Sequence, residues 1–153
     1  MAETSVHTRA DLPTNPGPVR LSVPPDPSLS RVARLAASGL ASLAGCTVDE
    51  IEDIKIAVSE VLIALIEHGD GARVDLEFGV EGASTAAETA SGTVGASAVF
   101  VVRGSSPVTS FDLDHPDLVL CRTVLEGVCA SSEIELVDGD ARITAIVART
   151  ELG

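Results

Sequence analysis

The chain has 153 residues, enough for one domain with a substantial core and too few for two ordinary ones. Ten basic residues against 23 acidic ones give a net charge of −13, and Phe78, Phe100 and Phe111 stand without any Trp or Tyr. An acidic surface repels phosphate backbones and few rings are available for base stacking, so the composition weighs against nucleic acid and anionic membranes as partners.

Residues 1–18 read as a flexible tail, because Pro13, Pro16 and Pro18 discourage regular structure. The segment lacks the apolar stretch of a signal peptide. The longest apolar run, Val61 to Ile66, falls far short of the roughly 20 residues that span a bilayer. Cys46, Cys121 and Cys129 are odd in number and show no CxxC spacing, so neither a disulfide framework nor a cysteine zinc site is expected. Together these features predict a cytoplasmic protein with a single domain over 19–153.

Val19 to Val23 predicts a short strand stopped by Pro24-Pro25, and Asp26-Pro27 then reads as an N-cap followed by proline in the first helical turn. Leu29, Val32, Ala33, Ala36, Leu40, Leu43 and Ala44 carry the helical spacing, which Gly45 ends. Thr47 and Glu50 form a capping box that opens a second helix. Its stripe of Val48, Ile51, Ile54, Val58, Val61, Leu62 and Leu65 is backed by Ile56, Ala57, Ile63 and Ala64, so it reads as a central helix packed on more than one face.

After the turn at His68-Gly69-Asp70-Gly71, alternation over 73–80 predicts a half-buried strand. The Gly/Ser/Thr/Ala-rich stretch 82–96 predicts a mobile connection, followed by a β-branched strand from Ala98 to Val102. A loop from Gly104 to His115 leads to Pro116, which opens a third helix carrying Leu118, Cys121, Val124, Leu125 and Val128. Strands over 133–137 and 142–148 flank Asp138-Gly139-Asp140, a hairpin signal. The order β-α-α-β-β-α-β-β predicts an α+β, two-layer α/β sandwich, with a mixed, mostly antiparallel sheet and three helices on one face.

The second helix contains Ile54-Lys55-Ile56-Ala57-Val58-Ser59-Glu60 and ends in His68-Gly69. This stretch resembles the metal-binding helix of the GHKL (Bergerat-fold) ATPases, and most of all the anti-sigma-factor serine kinases, whose members read Ala-Val-Ser-Glu-Ala-x-x-Asn-Ala-x-x-His-Gly. Ala57, Val58, Ser59, Glu60, His68 and Gly69 match in order and spacing, and the element order fits the same family over roughly residues 19–149. The resemblance implies that Glu60 stands where the family has a general base. It also implies a Mg²⁺-holding asparagine one helical turn on, where this chain has Ala64.

Two further family features are replaced. An adenine-reading Asp-x-Gly-x-Gly aligns with Gly104, Ser106 and Val108, which leaves no carboxylate for the base. A phosphate-holding Gly-Leu-Gly-Leu aligns, counting back from Arg122, with His115, Pro116, Asp117 and Leu118. Proline has no N–H to offer, and Asp117 brings a negative charge toward phosphate oxygens. Two unit charges about 4 Å apart repel by about 4 kcal/mol at an effective dielectric near 20.

The resemblance with these losses predicts a regulator of the anti-sigma or partner-switching type, without nucleotide cofactor or metal. Its implied partners are a sigma factor, an anti-sigma antagonist or a second copy of the chain. The alternative is an active Mg·ATP-dependent serine protein kinase with divergent boxes. Structural readings stand beside these: Glu60 ion-paired with Arg103, His68 at a helix C-terminus, His115 as an N-cap, and Asp112, Asp114 and Asp117 as a solvated acidic loop. Ser59 has no base at nucleophile spacing.

Overall fold

The computed structural model describes residues 17–82 and 98–149. In chain order these form β1 (Val19–Val23), α1 (Ser30–Leu43), α2 (Val48–His68), β2 (Val74–Gly82), β3 (Ala98–Pro107), α3 (Pro116–Val128), β4 (Ser131–Val137) and β5 (Asp140–Ala148). The five strands lie in the order β1-β2-β3-β5-β4. Every pairing among them is antiparallel, so the expected mixed sheet has no parallel member here. Residues 1–16 of the predicted tail (1–18) and 83–96 of the predicted connection (82–96) lie outside the described residues.

Strand alternation sets the two layers. Leu76 and Phe78 of β2, Phe100 and Val102 of β3, and Ile143, Ala145 and Val147 of β5 point into one core with the helices. The other face carries charge: Arg20 pairs with Glu77 at 2.8 Å, and Arg103 pairs with Glu81 at 2.7 Å and Glu77 at 3.6 Å. Arg103 therefore faces away from α2, which removes it as the expected partner of Glu60.

Local chemistry fixes the helix ends. Asp26 caps a short 3₁₀ turn, Pro27–Leu29, so α1 proper starts at Ser30, slightly later than the proline suggested. Gly45, at φ +79°, donates to Ser42 O while Cys46 N donates to Ala41 O, a paired closure of the last carbonyls. The capping box then forms as expected, with Glu50 N donating to Thr47 Oγ1 and Thr47 N donating to the Glu50 carboxylate.

The central position of α2 follows from its residues. Ile54, Ala57, Val58, Val61, Leu62, Ala64 and Leu65 are buried, and the helix packs on α1, α3 and the sheet. Ile56 and Ile63 remain exposed, so burial does not run all the way round. The strand beginning at Ala98 runs on to Pro107, past the predicted end at Val102. Gly104 and Ser106 thus lie in a strand bonded on both sides, to β2 and β5, or to β5 alone in the case of Ser106.

Candidate functional site

A groove of about 290 Å³ opens where α2 meets α3, lined by Glu60, Ile63, Ala64, Glu67, His68, Asp117, Leu120 and Cys121. Helical periodicity places the α2 members: Glu60, Ala64, Glu67 and His68 follow one another at spacings of four, three and one. The α3 members, Asp117, Leu120 and Cys121, sit at three- and one-residue spacing on the facing helix. The Cys121 thiol donates to Glu60 O at 3.8 Å, a contact that pins the two helices beside the groove.

Glu60 is half-buried. Desolvation pushes its carboxyl above the usual range, and the negative charge of Glu67 pushes it the same way. The Cys121 thiol is pushed up to about 12, by burial first and by the Glu60 charge second. Each helix therefore presents acidity to the same space: Glu60 and Glu67 from α2, Asp117 from α3.

The end of α2 is held by close approach. A Cβ on Gly69 would stand 2.5 Å from Leu65 O and 2.9 Å from Ser106 Oγ. Asp70 N donates to Pro107 O at 3.1 Å, which ties the same turn to the end of β3. His68 is the last residue of α2, at the helix C-terminus as expected, and its side chain faces the start of α3. Its ring meets Phe111 edge-on, with centroids 6.4 Å apart, and that of His115 at 4.7 Å.

The α3 entry is as expected. His115 is the N-cap, its Nδ1 accepting from Asp117 N at 3.2 Å, and Pro116 follows in the first turn. Asp117 Oδ2 lies 3.7 Å from His115 Nδ1 and 3.9 Å from His68 Nε2. Of the three loop acids, Asp112 and Asp114 are exposed and line no part of the groove. Asp112 Oδ1 instead accepts from Asp114 N.

The structure thus gathers Glu60, Ala64 and Asp117 and leaves Gly104 and Ser106 apart from them. Gly104 faces Leu65 and Val61 across the α2–β3 contact, and Ser106 is buried with its Oγ unpartnered. Sequence reading missed Glu67 as a groove residue, although its position seven residues after Glu60 puts it on the same helix face. It also kept His68 and His115 separate, since only the meeting of two helix ends joins them.

No protein-family model matches the chain. Among curated proteins it is similar to the serine-protein kinase RsbW of Bacillus subtilis, at 41% identity over 66 residues, which are 40% of this chain and 41% of that protein. It is also similar to RsbW of Halalkalibacterium halodurans, at 38% identity over 65 residues, 41% of this chain and 40% of the relative. A third, RsbW of Listeria monocytogenes, is 40% identical over 63 residues with the same shares. The match therefore spans about two-fifths of each curated relative. A solved structure of the RsbU and RsbW domains of a Mycobacterium tuberculosis protein superposes with a TM-score of 0.60 and 14% identity, covering 88% of this chain and 34% of that one. The chain thus shares part of its sequence with serine-protein kinases of the RsbW type and nearly all of its described fold with a larger RsbW-containing protein.

Proposed function

We propose that the chain is a regulator of the partner-switching type, acting by binding another protein, a sigma factor or an anti-sigma antagonist, and making little or no use of ATP. The observation that carries this reading is the acidity of the groove: Glu60, Glu67 and Asp117 line one cavity of about 290 Å³. A triphosphate entering it would meet carboxylates from both helices without the Mg²⁺ ligand, because Ala64 offers no oxygen. At the start of α3, where a phosphate loop would present N–H groups, Pro116 has none and Asp117 N is already turned to His115. The partial similarity to RsbW kinases supports the regulatory setting.

Calorimetry and thermal melts of the intact protein with Mg·ATP test the reading. The expected result is no saturable heat and no rise in Tm as nucleotide increases. A ligand at 100 times its Kd would stabilise the fold by about 2.7 kcal/mol, so a Tm that climbs with ATP overturns the proposal. Restoring Ala64→Asn together with Asp117→Gly is expected to raise nucleotide affinity.

Active phosphoryl transfer is the second reading, favoured by Glu60 itself. A half-buried carboxyl with a raised pKa is a better proton acceptor than a solvated one. Transfer of labelled phosphate from ATP to a protein serine, abolished by Glu60→Gln, would establish it.

A further inference from the structure

His68, His115 and Asp117 each offer a ligand atom within 4.8 Å of one another, at the place where the end of α2 meets the start of α3. We infer that these three side chains form a binding site for a divalent cation of the zinc class, open on its remaining side to the acidic groove. The inference stands on these three residues and is independent of whether the chain binds nucleotide.

Three observations carry it. His68 Nε2 is buried and has no hydrogen-bond partner, an unusual state for a ring nitrogen in a folded protein. Its ring lies edge-on against Phe111 and His115, with centroids 6.4 and 4.7 Å away, and its side chain is only 15% exposed. The Asp117 carboxylate lies 3.9 Å from this nitrogen, too far for a hydrogen bond and close to a ligand–ligand spacing.

The geometry is close to what such an ion requires. Bonds of about 2.1 Å in a tetrahedron put neighbouring ligand atoms about 3.4 Å apart. The two separations that involve Asp117, 3.7 and 3.9 Å, exceed that by a few tenths of an ångström, and the two imidazoles, whose ligand atoms lie within 4.8 Å of each other, would have to draw together around an ion. Adjustment falls on Asp117 and His115, whose side chains are 62% and 43% exposed, while His68 at 15% is the fixed member. Binding through His115 Nδ1 trades the long hydrogen bond from Asp117 N for the metal bond.

The donor set decides the class of ion. Two neutral imidazoles and one carboxylate suit Zn²⁺ and its neighbours Co²⁺, Ni²⁺ and Cu²⁺, whereas Mg²⁺ prefers an all-oxygen octahedron. Three protein ligands with a fourth position open is the arrangement of zinc sites that hold water or an exchangeable group. That position opens on the space His68 and Asp117 share with Glu60 and Glu67, whose charges add attraction for a cation.

Metal-free, tag-free protein titrated with Zn²⁺ in a calorimeter and with Co²⁺ in a spectrophotometer tests the site. The expected result is one ion per chain, visible tetrahedral Co²⁺ bands without a thiolate charge-transfer band, and no displacement by excess Mg²⁺. Asp117→Asn and His115→Asn are each expected to weaken Zn²⁺ binding by about tenfold or more. His115→Asn keeps an N-cap acceptor and Asp117 is mostly exposed, so circular dichroism of the two variants should match the parent. His68→Ala should abolish binding. The inference is overturned by absent binding, by affinities unchanged in both asparagine variants, by displacement with Mg²⁺, or by a thiolate band showing that cysteine holds the ion.

Discussion

Gly104 of β3 lies directly beneath Leu65 of α2: a Cβ on the glycine would stand 2.6 Å from Leu65 Cδ1 and 2.6 Å from Val61 Cγ1. The central helix therefore rests on bare backbone at this point, and the α2–sheet spacing is set by the missing methyl group. Because the groove side chains hang from the same helix, this contact also fixes how Glu60 and Ala64 face α3.

Gly104→Ala is expected to destabilise the fold by about 1–3 kcal/mol, the usual cost of forcing an extra carbon into a packed core. For a chain of this length each kcal/mol lowers Tm by about 2–4 °C. Urea or thermal unfolding followed by circular dichroism checks this, and an unchanged midpoint would show that Leu65 and Val61 yield freely. Among the described residues nothing lies within 4 Å of a Cβ placed on Gly39, and alanine there should cost far less.

The acidity of the groove gives a pH dependence with a definite sign. Desolvation and the Glu67 charge raise the Glu60 pKa on folding, so the folded state binds more protons than the unfolded one in the window above the ordinary carboxylate value. Stability contributed by this group is present below that window and is lost as pH rises through it. Glu60→Gln should flatten the slope of Tm against pH and raise Tm at neutral pH relative to the parent. Glu81 has the opposite sign, since its hydrogen bond with Arg103 lowers its pKa, and Glu81→Gln should remove stability that is fully present above the ordinary value and lost as pH falls below it through the lowered pKa. If Glu60→Gln leaves the pH profile untouched, the groove is wetter than its geometry indicates.

Thiol chemistry offers an independent reading of the same contact. Burial, with help from Glu60, pushes Cys121 up to about 12, and burial with help from Asp53 pushes Cys129 up to about 11. At neutral pH almost no thiolate is present, so alkylation by iodoacetamide in the native state should be far slower than for a solvated cysteine and complete on unfolding. Glu60→Gln should lower the Cys121 pKa and quicken its native-state reaction. Peptide mapping by mass spectrometry distinguishes Cys121 from Cys46 and Cys129.

The legible parts of this fold are those decided within a few residues. Thr47 and Glu50 close their box across one turn, Gly45 ends α1 by its own left-handed φ, and Asp138-Gly139 forms a two-residue hairpin with φ +53° and +83°. What escaped the sequence is decided between elements. Gly104-Ser105-Ser106-Pro107 has the composition of a loop, yet pairing against β5, and in part β2, supplies backbone partners that outweigh weak strand propensity. The motif residues Glu60 and Ala64 reached the groove because helical spacing carried them there. Gly104 and Ser106 did not, because the strand they occupy runs on to Pro107 and holds them in the sheet. His68 and His115, far apart in the chain, meet only because α2 ends where α3 starts.

The strand order leaves β1 and β4 at the two borders of the sheet among the described residues. On β4, Glu133 and Glu135 alternate with Ile134 and stand opposite Thr144 and Arg142 of β5. A second polypeptide adding itself along this border would have to align its backbone beside a row of carboxylates, on a chain of net charge −13. Charged side chains on a border strand disfavour edge-to-edge pairing with another strand of the same charge. Among the described residues, the acid excess thus reaches the border of the sheet itself, where a strand of like charge would be a poor neighbour.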